Sequence, residues 1–278
     1  MQQPQQEETA AIAARMAQIK HKIIVLSGKG GVGKSTVAVN LARALHQAGN
    51  TVGLLDADIH GPSVPKMLGM ERDQVMPTEL GILPVSRGPG FNVMSIGFLL
   101  PDSDNAVIWR GPLKNRMIQQ FLKDGQWGAL DYLVIDLPPG TGDEPLTVAQ
   151  SIPNADGAIV VTTPQQVAIA DVRKCISFCR QLKLPVLGVL ENMSGFVCPH
   201  CSEHVDIFAS GGGETMAKDM AVPFLGSIPI DPAIGVAADS GIAFMDAQPD
   251  SPAAQAFSAA VKTLSKRCRP CCAAVAAD

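Results

Sequence analysis

The segment Gly28-Lys-Gly-Gly-Val-Gly-Lys-Ser-Thr36 carries the full G-x-x-x-x-G-K-[ST] spacing. Glycines at these intervals let backbone N–H groups turn toward one point, so Gly28, Gly30, Gly31, Val32 and Gly33 make a cradle for phosphate oxygens. A helix opening at Lys34 adds its positive N-terminal end. Lys34 would then reach the β- and γ-phosphates, Ser35 would ligate Mg2+, and Thr36 completes the nucleotide-binding signature. KIIVLS before the loop reads as a buried strand and TVAVNLARALHQ after it as a helix, the context such a loop requires.

A phosphate-bound Mg2+ also needs a carboxylate at a neighbouring strand end. Tyr132-Leu-Val-Ile-Asp136 supplies it: four residues of a buried strand, then Asp136 at the carboxyl edge, where α/β sheets place their ligands. In the tight turn that follows, Gly140 is positioned to offer its N–H to the γ-phosphate and so to sense hydrolysis. A second acidic strand end, Leu54-Leu-Asp56-Ala-Asp58, sets Asp58 to orient the attacking water or to hold Mg2+, with Asp56 assisting the metal's outer shell. The Asn-Lys-x-Asp pattern of guanine sites is absent, so ATP is the expected nucleotide.

The seven cysteines are an odd number in a chain with no export signal, which favours metal or redox chemistry over a disulfide framework. Cys198-Pro-His-Cys201 is the close pair. A structural Zn2+ or an Fe–S cluster normally takes four protein ligands. Either His200 or His204 completes a zinc site with a fourth group, or two subunits bring two thiolates each across a twofold axis. Geometry suits zinc and Fe–S equally. Cys175 and Cys179, four apart on a helical pattern, read as buried small apolar residues. Cys268, Cys271 and Cys272 leave three options open: a second metal, a delivery role, or reactive thiols. Arg110, before a helix, either touches a partner subunit and couples the nucleotide to the cysteines or makes a surface ion pair.

These groups need a frame to hold them. Apolar runs at Lys22–Ser27, Val52–Asp56, Asn92–Ile96, Tyr132–Asp136, Ala158–Thr162, Val186–Glu191 and Phe224–Ile228 read as strands, several of them continuous in Val, Ile and Leu. Helical patterns fall between them at Lys34–Gln47, Lys114–Lys123, Val167–Leu182 and Ala253–Lys266. The alternation predicts an α/β fold, a mostly parallel twisted sheet with helices on both faces. Gly61–Gly90 reads as an irregular insertion with a small hairpin. The expected organisation is a flexible tail with a short Ala-rich helix over 1–20, one ATPase domain over 21–266, and a cysteine-containing tail over 267–278. A net charge of −4 argues against nucleic-acid binding. No apolar run is long enough for a membrane span and no secretory signal opens the chain, so a cytoplasmic protein without membrane or nucleic-acid partners is expected.

Lys29-Gly-Gly-Val-Gly-Lys34 resembles the deviant P-loop of the MinD/ParA/nitrogenase-iron-protein class of dimeric ATPases. That resemblance implies a P-loop NTPase fold of this type, a homodimer, and a Lys29 that reaches the partner's phosphates. It also implies that Asn192 hydrogen-bonds adenine while Pro229 and Asp231 lie beside the ring. Together, KGGVGKST, DADIHGPS, VIWRGP, DYLVIDLPPGTGD and ENMSGFVCPHC, spread from about Lys22 to Lys266, resemble the Mrp/ApbC family of ATP-dependent iron–sulfur cluster carriers. The resemblance implies ATP hydrolysis by Lys29, Lys34 and Asp58, with Mg2+ on Ser35, Asp58 and Asp136. It implies a labile [4Fe–4S] cluster on Cys198 and Cys201 at the dimer interface, received from an assembly scaffold and passed to apo iron–sulfur proteins. Ser202 stands where the family commonly has glycine, and the cysteine tail lies outside its motifs. The alternative is a ParA/MinD-like spatial organiser with a structural zinc or redox CxxC. A nitrogenase-like electron donor is disfavoured, because Leu137–Gln150 contains no cysteine.

Overall fold

A computed structural model describes residues 3–58, 61–99, 111–198, 200–201 and 203–268, with the backbone alone for 3–6 and 111–115. In chain order the first half runs α1 (Gln3–Met16), β1 (Ile19–Ser27), α2 (Lys34–Gln47), β2 (Val52–Asp56), α3 (Val64–Met67), β3 (Met76–Thr78), β4 (Gly81–Leu83), β5 (Val85–Ser86), β6 (Phe91–Ser95) and α4 (Gly111–Asp124). The second half runs β7 (Leu130–Asp136), α5 (Asp143–Ser151), β8 (Gly157–Thr162), α6 (Gln166–Gln181), β9 (Val186–Glu191), β10 (Phe196–Val197) and β11 (His204–Val205). It closes with α7 (Gly212–Asp219), β12 (Phe224–Ser227), α8 (Pro232–Asp239), α9 (Phe244–Ala247) and α10 (Pro252–Ser265).

Eight strands form one sheet in the order β12-β9-β8-β1-β7-β2-β6-β5, parallel except at the β5–β6 edge. The continuous apolar strands are buried on both sides, and the alternation along β8 shows why. Val161 packs into the main core, while its neighbour Val160 joins a second cluster with Ile169, Val172 and Ile176 of α6 and Met216 of α7. Helix α10 buries Phe257, Val261 and Leu264, so its apolar face is used within the fold. Cys175 and Cys179 are buried on α6 as expected, and burial pushes both thiols up to about 12. The hairpin expected in the Gly61–Gly90 insertion is β3–β4.

The N-terminal segment departs from the expected tail. It is helical from Gln3, because a proline such as Pro4 is tolerated in a first turn that has no hydrogen bond to lose. Ile12 and Met16 are buried in the main core, and Ile19, expected on that helix, begins β1 instead. Arg110, Cys271 and Cys272 lie outside the described residues.

Parallel pairing sets Val25 and Asp56 level with Asp136, so the loops after β1, β2 and β7 leave the sheet at one edge. At the opposite edge Asp131 ties three strands together. It accepts from Lys20 Nζ at 2.6 Å and from the Thr51 N–H and hydroxyl at 2.8 Å each. The Lys20 bond, then the Thr51 bonds, hold its carboxyl down to about 2. A folded-state value below the unfolded one stabilises above about pH 4 and is lost as pH falls toward 2. Asp131→Asn is therefore expected to cost about 1–2 kcal/mol at pH 7, allowing for solvent screening, with the gap shrinking by roughly half at pH 3. Urea unfolding of both proteins at the two pH values reads this directly, and a gap constant with pH would contradict it.

Candidate functional site

The loop between β1 and α2 has the conformation its glycines permit. Gly31 and Gly33 lie at φ +82° and +79°, which L side chains rarely adopt. A Cβ at Gly30 or Gly31 would meet open space, whereas one at Gly28 would run into the backbone of Asp171. The loop is thus packed at its base and open at its mouth. Val32 is buried, and Gly33 caps α2, whose first turn carries Lys34, Ser35 and the half-buried Thr36.

Lys34 is buried, with its ammonium 2.5 Å from Asp136 Oδ1, 3.2 Å from the Ser35 hydroxyl and 4.0 Å from Asp58 Oδ2. Three of the residues expected at a Mg2+–phosphate site therefore converge on one ammonium. Asp136 is fully buried, and its Oδ2 has no hydrogen-bond partner among the described residues. Burial pushes this carboxyl up, against the pull of Lys34. An orphaned carboxylate oxygen beside a hydroxyl and a second carboxylate is a donor set that suits a hard cation such as Mg2+.

Asp56 has a different task from the outer-shell role expected of it. It accepts from the N–H of Asp58 at 3.1 Å, the Ser95 hydroxyl at 3.0 Å and the Val64 N–H at 3.4 Å, which shapes the loop carrying Asp58. Burial, then the charge of Asp136, pushes its carboxyl up to about 7. Gly140 also requires correction. Its N–H donates to the Ser27 carbonyl at 2.8 Å, closing the turn after β7 onto the end of β1, so it is not offered to a phosphate in this structure. Lys29 is half-buried, and its ammonium makes no ion pair with a described residue.

Asn192 is buried at the end of β9 and donates its side-chain amide to the Val32 carbonyl at 2.9 Å, bracing the P-loop from beneath. Asp231 caps α8 by accepting from Ala233 N–H at 2.9 Å, and Pro229 stands between it and β12. The neighbour of Asn192 is a residue whose part the sequence does not disclose. Glu191, fully buried, accepts from the Ser194 hydroxyl at 2.5 Å, from Gly211 N–H at 3.0 Å and from Gly213 N–H. It clasps both stems of the segment that carries the cysteines, so adjacent residues hold the P-loop and the cysteine loop.

Between those stems β10 and β11 form a hairpin, with Phe196 opposite Val205 and Val197 opposite His204. Cys198 N–H donates to the Glu203 carbonyl at 2.9 Å. Cys198 is half-buried and Cys201 exposed. The N–H groups of Cys201 and His200 point at the Cys198 sulfur and hold its thiol below the ordinary value, which readies it as a thiolate ligand. Among the described residues no His, Asp or Glu joins the pair in a cluster of three ligand atoms, and His204 lies instead 3.7 Å from Asp206. The described residues of one chain thus present two thiols at this site. Around them Val197, Val205, Ile207 and Phe208 are exposed, an apolar rim on the same hairpin and the segment after it.

A family profile described as the ParA-type NUBPL iron-transfer P-loop NTPase matches residues 18–265. The chain is 58% identical over 236 residues to an iron–sulfur cluster carrier protein of Methanocaldococcus jannaschii, covering 85% of this chain and 81% of that one. It is 55% identical to a cytosolic Fe–S cluster assembly factor NUBP2 homolog of Nematostella vectensis, covering 89% and 93% of the two chains. Among solved structures, the ADP-bound nucleotide-binding protein of Archaeoglobus fulgidus matches with TM-score 0.78 at 41% identity, over 89% of this chain and 95% of that one. MinD of Pyrococcus furiosus, at 24% identity and TM-score 0.65 over 88% and 98%, shares the fold. On the evidence of its P-loop, its sheet and this match over residues 18–265, the chain belongs to the NUBPL-type iron-transfer P-loop NTPase family.

Proposed function

We propose that the protein is an ATP-binding and ATP-hydrolysing carrier of a labile [4Fe–4S] cluster. Two copies each contribute Cys198 and Cys201, and the cluster, taken from an assembly scaffold, is passed to apo iron–sulfur proteins in the cytoplasm. The two-thiol half-site within an exposed apolar rim carries this reading, because the described residues of one chain supply two of four ligands and a second copy would supply the other two. The names of the relatives point the same way.

In the nucleotide site, Gly28, Gly30, Gly31, Val32, Gly33 and Thr36 cradle the phosphates. Lys34 neutralises them, Lys29 reaches those of the partner, and Asp58 orients the attacking water. Ser35, Asp58 and Asp136 would hold Mg2+, which when bound offsets the charge of the phosphates. Asn192, with Pro229 and Asp231, holds the adenine. A phosphate competes with Asp136 for the Lys34 ammonium, so nucleotide binding disturbs the loops that start at Asp58 and Asp136. Because Asn192 grips Val32 and Glu191 grips the cysteine stems, movement of the P-loop is transmitted to the thiolates through two consecutive residues.

Cluster transfer tests this function. Reconstituted protein mixed anaerobically with an inactive apo [4Fe–4S] enzyme is expected to restore that enzyme's activity faster than free iron and sulfide do. The transfer rate should change several-fold with ATP and vanish in Cys198→Ala/Cys201→Ala. Recovery no faster than from free iron and sulfide would sink the carrier assignment.

A further inference from the structure

A second group of metal-ligating side chains lies at the sheet edge opposite the nucleotide. His21 stands near the start of β1, Asp156 in the turn before β8, and Cys268 just beyond α10. Their ligand atoms all lie within 4.8 Å of one another. His21 Nδ1 is 3.1 Å from Asp156 Oδ1, and Asp156 Oδ2 accepts from the Lys22 N–H at 2.9 Å. The His21 ring stacks on Tyr132 at 4.9 Å. Two of the three donors are therefore oriented by β1 and β7 without help from the third. Cys268 is fixed separately, its N–H donating to Leu264 at the end of α10.

We propose that His21, Asp156 and Cys268 form a second metal site, one that takes a borderline-soft divalent cation such as Zn2+. The donor set, one imidazole, one carboxylate and one thiolate, is of the kind zinc accepts. In a tetrahedral zinc site, bond lengths near 2.0–2.3 Å put ligand atoms roughly 3.3–3.8 Å apart. The widest separation in the cluster needs to close by about 1 Å. The fourth position falls to water.

The same three residue types also make up a nucleophilic Cys-His-Asp arrangement, and the surroundings exclude that use. Cys268 is only 7% exposed, so no substrate could approach its sulfur. A small dication is not held to that condition, because it is far smaller than a substrate. It displaces the thiol proton to solvent, and its two positive charges balance the resulting thiolate and the Asp156 carboxylate. Bound there, it would staple the end of α10 to β1 and to the turn before β8.

The test uses the full chain carrying Cys198→Ser and Cys201→Ser, so that the exposed pair cannot bind. Titration with Co2+ is expected to give a thiolate-to-cobalt charge-transfer band saturating at one equivalent per chain and bleached by Zn2+. Adding His21→Gln or Cys268→Ser is expected to weaken binding by about 10–100-fold or more, and to abolish the rise in Tm that Zn2+ produces. Retained ATP binding shows that each variant is folded. Should Cys268→Ser fail to fold, His21→Gln, at a part-exposed position, decides alone. The band should persist, weaker or unchanged, when Cys271 and Cys272 are both serine. The absence of a saturable band, a band indifferent to His21→Gln, or one that disappears with the tail thiols alone would overturn the assignment.

Discussion

Lys29→Ala is expected to lower steady-state ATP hydrolysis by about 10²–10⁴-fold while leaving ATP affinity within a few-fold of wild type. Lys34 is engaged inside its own chain, buried against Asp136, and its loss should abolish nucleotide binding itself. Lys29 makes no ion pair with a described residue and lies next to Gly30 and Gly31, at the open mouth of the loop, from which the proposed function has it reach across a dimer. A cation delivered to the phosphates only in the assembled state stabilises charge that develops in the transition state, which in related phosphoryl transfers is worth about 10³–10⁵. The geometry makes a sharper result available. In a mixed dimer of Lys29→Ala with Lys34→Met, the first chain keeps a competent site and receives Lys29 from the second. Mixing the two inactive proteins is expected to restore up to about half of one wild-type dimer's activity per heterodimer, scaled by the fraction of heterodimers. A mixture as inactive as its parents would show that Lys29 works within its own chain or not at all.

The second large effect concerns Glu191. Replacement by alanine removes the acceptor for two backbone N–H groups and a hydroxyl in a fully buried place. Leaving such donors unsatisfied costs about 1–3 kcal/mol each before any relaxation, so a loss of about 3 kcal/mol or more is expected. For a chain of this size that lowers Tm by about 6–12 °C. The accompanying result separates stability from function. With both stems of the cysteine hairpin released, iron retained after reconstitution should fall even at temperatures where the variant is folded, while Asn192 still braces the P-loop and ATP still binds. Calorimetry and iron analysis on the same sample check both halves. Unchanged iron retention in a destabilised protein would reduce Glu191 to a structural residue.

How much of this could be read from the sequence depends on how local each feature is. Lys34–Gln47, Val52–Asp56 and Val186–Glu191 are observed at the expected boundaries, because a glycine-rich loop opens the helix and short apolar runs ending in an acidic residue mark the strands. Asp136 and Asp58 follow from their positions at strand ends, and the sheet registers them beside Lys34. Gly140 shows the limit of that logic: a flexible turn residue was expected to face the phosphate, but the neighbouring strand end claimed its N–H first. Glu191 was legible as a strand-end residue and no more, since its partners lie up to 22 residues away across the cysteine hairpin. The His21, Asp156 and Cys268 cluster is assembled from segments more than a hundred residues apart, and no spacing rule connects them. The N-terminal helix starts at Gln3, within the Gln/Pro stretch expected to be tail, because Pro4 at a first turn breaks nothing.

The interfacial cluster is decided by composition after anaerobic reconstitution: iron, acid-labile sulfide and zinc per dimer, for wild type and for Cys198→Ala/Cys201→Ala. Two thiolates from each copy predict about four iron and four sulfide per dimer in the wild type. Both should be lost in the double variant while ATP binding remains, and any zinc held by His21, Asp156 and Cys268 should survive. Iron that persists without Cys198 and Cys201, or stoichiometric zinc that departs with them, would contradict the cluster assignment and leave the nucleotide switch without its cargo.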